Sequence, residues 1–80
     1  MKITKVAVEE NIKLIINGFK KINDFSNDEI REMIIYKRNP VNPEGFKVLK
    51  IENENKIFCQ LWNGMKVYYI YKNGDFQRKL

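Results

Sequence analysis

Eighty residues with one cysteine and no histidine exclude an internal disulfide, the common zinc centres and every triad or dyad that uses imidazole as its base. A chain this short buries only about 60% of the surface its unfolded form exposes, so it makes one domain, residues 1–80, that needs a well-made core or a partner. The net charge of +5 invites an anionic partner, yet residues 1–40 carry 8 basic and 6 acidic groups and residues 41–80 carry 7 and 4, an even spread.

In chain order, the first eight residues alternate charged and apolar side chains, and 3–8 suit a short edge strand. Ile12, Ile15, Ile16, Phe19 and Ile22 then recur at helical spacing, with Glu9 and Glu10 placed for a first turn. Asn17-Gly18 is a favoured hairpin turn, but strand alternation fails at Ile15 and Lys21, so the spacing predicts a helix carrying this stripe. A second helix is expected over 26–37. Ser26 and Glu29 have the spacing of a capping box, and Phe25 and Ile30 that of a hydrophobic staple. Asp28 and Glu29 suit its positive end, Lys37 and Arg38 its negative end, and Asn39-Pro40 stops it.

Residues 39–45 hold both prolines and form a loop. Three apolar runs follow, 46–52, 56–62 and 66–72, separated by Asn53-Glu54-Asn55 and Asn63-Gly64-Met65. They describe a three-stranded antiparallel meander. After the Asn73-Gly74 turn, residues 75–80 add a short strand or fray. The expected fold is α+β, (β)ααβββ: a helical half over about 1–38, a loop over 39–45 and an antiparallel half over 46–76. Both helices lie on one face of the sheet.

Chemistry is scarce. Cys59 sits mid-strand with no basic neighbour in sequence to lower its pKa, and reads as a small buried hydrophobe. Asp28, Glu29 and Glu32 are accounted for by capping and the helix dipole. The four glycines are isolated, and three follow Asn in turn dipeptides, so no phosphate-binding loop exists. The sequence therefore predicts no catalysis, no cofactor and no metal. The longest apolar run, 67–71, is too short for a signal peptide or a membrane span, and a lone thiol suits a reducing compartment. The expected location is the cytoplasm, with no membrane contact.

The sheet is the feature to follow, because side chains alternate between its faces. One face carries Leu49, Ile51, Ile57, Cys59 and Leu61; the other carries Phe46, Val48, Phe58 and Trp62. The third strand offers Val67, Tyr69 and Tyr71 on one side and Tyr68 and Ile70 on the other. With the isoleucine-rich helices on the aliphatic face, Phe46, Phe58, Trp62, Tyr69 and Tyr71 are expected to face solvent, with Lys56 beside them. Such a patch marks an interface centred on Trp62, or is covered by a terminal segment as a satellite core.

Three functions fit. The first is a protein-binding module: a small accessory or inhibitor protein, of the kind phages and mobile elements encode to block a host factor. The second is nucleic-acid binding, either by stacking single-stranded bases on the sheet between Lys47, Lys50, Lys56, Lys66 and Lys72, or as a helix-turn-helix with a wing. The third is a homodimer joined through the aromatic face. Lysine weighs little by itself: the 12 Lys, against 3 Arg, travel with 11 Ile and 10 Asn, all residues with A- and T-rich codons.

Overall fold

The structure is a computed structural model, and it describes residues 4–38 and 41–79. Two helices, α1 (Lys5–Ile16) and α2 (Asn27–Arg38), precede four strands: β1 (Lys47–Asn53), β2 (Lys56–Gln60), β3 (Lys66–Lys72) and β4 (Asp75–Lys79). The strands pair antiparallel in sequence order. The fold is α+β with four strands, one more than the expected meander.

The fourth strand forms because Asn73 and Gly74 both take positive φ, 53° and 79°. This is the pairing that lets a two-residue turn follow the right-handed twist of its strands. Phe76 then reaches the core and is fully buried.

Helix α1 corrects the reading of the N-terminus. Residues 5–8 are helical, not a strand; residue 3 and the Asn39-Pro40 stop lie outside the described residues. Thr4 caps α1, its hydroxyl accepting from the Ala7 amide at 3.1 Å. The Asn17-Gly18 pair ends the helix instead of turning a hairpin: the Gly18 amide donates to the Ile15 carbonyl at 3.1 Å and the Phe19 amide to the Leu14 carbonyl at 2.9 Å. That is the Schellman arrangement. It splits the apolar stripe. Val8 and Ile12 enter the core from α1 and Ile22 enters it from a short 3-10 turn (Ile22–Asp24), while Ile16 and Phe19 stay exposed.

The capping box of α2 is formed. The Ser26 amide donates to Glu29 Oε1 at 2.9 Å, and the Glu29 amide donates to Ser26 Oγ at 3.2 Å. Ile30, Met33 and Ile34 are then buried at helical spacing. Ser26→Ala should cost about 1 kcal/mol, read as a lower midpoint in urea unfolding; an unchanged midpoint removes the cap from the account. The bond from the Ser26 amide also holds the Glu29 carboxyl below its ordinary 4.5. The folded pKa being depressed, this contribution is present above pH 4.5 and lost as pH falls through the lower folded value.

Both helices lie on one side of the sheet. Val8, Ile12, Ile22, Ile30, Met33 and Ile34 meet Phe46, Ile57, Cys59, Leu61, Val67, Tyr69 and Phe76 in one buried cluster. Val48, Ile51 and Tyr71 pack against it, half-buried. A hydroxyl–carboxylate bond from Tyr36 on α2 to Glu9 on α1 ties the two helices together.

Candidate functional site

Strand register decides which side chains the helices leave uncovered. Ile57 pairs with Tyr69 and Cys59 with Val67, so these four point to the helices; Phe58 pairs with Tyr68 and Lys56 with Ile70 on the open side. Strand β4 continues the pattern, with Lys79 beside Tyr68 and Gln77 beside Ile70. In β1 a register shift between Val48 and Lys50 inserts one extra residue, Leu49. Such a bulge breaks strict alternation. Val48 and Ile51 both face the core, and Lys50 comes to stand beside Phe58.

This moves three of the six expected interface residues. Phe46 and Tyr69 are core, 1% and 2% exposed, with ring centroids 5.8 Å apart. Tyr71 packs on the same side, edge-on to Phe76 at 4.9 Å. Strand alternation with a different offset between β2 and β3 places the tyrosines with Phe58; the observed register sets Tyr69 opposite Ile57 instead, and Phe46 packs on Tyr69. Phe58 and Lys56 do lie on the open face. Trp62 lies beyond the end of β2, in the turn before β3, and is 52% exposed. Its backbone is seated on Gly45, where a Cβ would come within 2.7 Å of the Trp62 Cα. Nothing larger than glycine fits there without moving the turn.

The open face is organised in rows. Its central row runs Lys50, Phe58, Tyr68, Lys79 across all four strands. The two aromatic rings are 4.8 Å apart and tilted by 40°. The row on one side is Lys47, Gln60, Lys66, and the row on the other is Asn53, Lys56, Ile70, Gln77, followed by Lys72 at the edge. Six lysines thus surround one aromatic pair. Lys47, Lys50, Lys56, Lys66 and Lys72 were expected beside the sheet, whereas Tyr68 and Lys79 were not among the expected interface residues; the cross-strand register brings these two into the central row.

Acidic groups are scarce on this face. Glu52 pairs loosely with Lys50 at 3.8 Å, while Asp75 and Glu54 turn to Arg38 and Lys21 at 3.6 and 2.9 Å. Lys47, Lys56, Lys66, Lys72 and Lys79 make no ion pair among the described residues. The Lys56 ammonium instead rests over the Tyr68 ring, 4.5 Å from its centroid. An exposed cation–π contact is worth about 0.5–1 kcal/mol. A nucleobase stacked on an aromatic ring is worth about 1–3 kcal/mol, so a base can displace Lys56 from the ring and free its charge for a phosphate.

Cys59 lies on the opposite, covered face, and burial pushes its thiol up to about 12. It is the thiol, not the nucleophilic thiolate, at neutral pH. Among the described residues no group of three or more His, Cys, Asp or Glu could hold a metal ion, and no helix is long and apolar enough to cross a membrane.

No protein-family model matches the chain, and neither a curated protein nor a solved structure matches it.

Proposed function

We propose that this chain is a non-catalytic nucleic-acid-binding domain whose working surface is the open face of the sheet. The observation that carries the reading is the sorting of charge: six lysines on one face around Phe58 and Tyr68, with two nearby acids, Glu52 and, in register with Lys72, Asp75, whose carboxylate turns to Arg38. Polyphosphate binding is dominated by such neutralisation and the release of counterions. A composition bias toward lysine explains how many there are, not why one face collects them. The helix-turn-helix alternative fits less well, because α2 buries Ile30, Met33 and Ile34 against the core and begins with Asp28 and Glu29. Pairing two copies face to face would oppose lysine with lysine, which disfavours the homodimer. Binding to labelled oligonucleotides, followed by fluorescence anisotropy over a salt series, tests the proposal. Absence of binding at low salt, or affinity indifferent to salt, would sink it.

A second reading keeps the protein-binding module, an accessory or inhibitor protein acting on a host factor. It is favoured by Trp62, 52% exposed beside Met65, 41% exposed, in one turn fixed by Gly45. Tryptophan is, with tyrosine and arginine, enriched among the residues that anchor protein interfaces. Trp62→Ala should leave the unfolding free energy within about 0.5 kcal/mol of the parent, and the Trp62 emission of the free protein should be red-shifted and open to quencher. A blue, protected spectrum would remove Trp62 from any free surface. Retention of a captured protein partner by the Trp62→Ala variant would end this second reading.

A further inference from the structure

Resting on the nucleic-acid reading, we infer that the open face takes single-stranded nucleic acid and discriminates against duplex, with Phe58 and Tyr68 as the floor on which unpaired bases stack. The central row places the two rings on the inner strands β2 and β3 and a lysine at each end, Lys50 on β1 and Lys79 on β4. Strands lie about 4.8 Å apart, so the row is a strip roughly 14 Å across, apolar at its centre and cationic at both margins. A single strand matches that order: bases to the middle, phosphates to the sides. A double helix does not, since its base faces are occupied by their stacked neighbours and only phosphate reaches the protein.

The same face holds no arginine. Arg31 and Arg38 belong to α2, and Arg78 pairs in register with Tyr69 on the covered side. The forked donor that reads guanine is therefore missing from the surface. Stacking and point charges remain, and both tolerate any base. The site binds unpaired strands with weak sequence preference.

The test compares fluorescein-labelled oligo-dT and oligo-U of about 10 nucleotides, a duplex of equal length, and polyglutamate as an acidic polypeptide. Phe58→Leu, Tyr68→Leu and Tyr68→Phe are made separately, each checked for cooperative unfolding, so that failure of one to fold leaves the others to decide. Either leucine substitution is expected to lower single-strand affinity by roughly 5- to 100-fold and to leave duplex affinity unchanged, while Tyr68→Phe retains binding. Equal affinity for single strand and duplex, unmoved by both leucine variants, overturns the inference and leaves nucleic-acid binding standing. Polyglutamate binding as tightly as the oligonucleotides also overturns it, in favour of an acidic protein partner. No binding to any of these probes removes both proposals.

Discussion

Phe46→Ala is expected to destabilise the protein by about 3–5 kcal/mol, the usual cost of removing a buried phenylalanine. A domain of this size has only about 4–12 kcal/mol of stability, so the variant should be largely or wholly unfolded at 37 °C. Phe46 is 1% exposed and packs its ring on Tyr69, itself 2% exposed, directly under the helices. The cavity left behind cannot close easily, because Tyr69, the ring it packs on, is held by strand pairing to Ile57 and Arg78. The measurement is the urea midpoint, with circular dichroism as the check on fold. A Phe46→Ala protein that unfolds cooperatively near the parent midpoint would return Phe46 to the surface and overturn the face assignment. Phe58→Leu provides the contrast: it lies on the open side and keeps an apolar side chain, so it should stay close to the parent.

How much of this was legible in the sequence depends on the range of the interaction. The capping box of α2 was readable because Ser26 and Glu29 are three residues apart and need only each other. Strand β3 was readable from its length and composition. Faces were not, because they depend on turn geometry. Placing Tyr69 and Tyr71 with Phe58 needs an odd offset between β2 and β3, as a two-residue Asn63-Gly64 turn would give. The observed connection spans residues 61–65, closed by the Leu61 amide donating to the Met65 carbonyl at 2.8 Å. It pairs Phe58 with Tyr68 instead. One residue of slip exchanges the two faces of a strand, so a local difference in a turn moved two tyrosines from the surface to the core side.

The bulge at Leu49 hid the charge pattern in the same way. Read with strict alternation, Lys47 and Lys50 fall on opposite faces of β1. The register shift between Val48 and Lys50 puts both on the open side. Lys56, Lys66, Lys72 and Lys79 join them by pairing alone. An even spread of charge along the chain is therefore compatible with a segregated charge in space. Helices α1 and α2 carry five of the ten acids, Glu9, Glu10, Asp28, Glu29 and Glu32, on the other side of the molecule.

That segregation leads to the second large effect, a salt dependence that follows one face only. Each lysine that neutralises a phosphate of a single strand contributes about −0.7 to the slope of log affinity against log salt. If four to six of the face lysines engage, the slope is about −3 to −4, and affinity should fall on the order of 100-fold between 50 and 200 mM salt. Neutralising Lys47, Lys66 and Lys79 together to Gln should then reduce the steepness by about 2. Neutralising Lys5, Lys13 and Lys37 to Gln removes the same net charge from the helices and should leave the slope as it was. The pair of triple variants separates a local site from a general attraction to a basic protein. Equal losses in both would mean that net charge alone draws the polyanion, and the open face would have no claim to it. An unchanged slope in the sheet variant, with the helix variant affected, would place the binding surface on the helices.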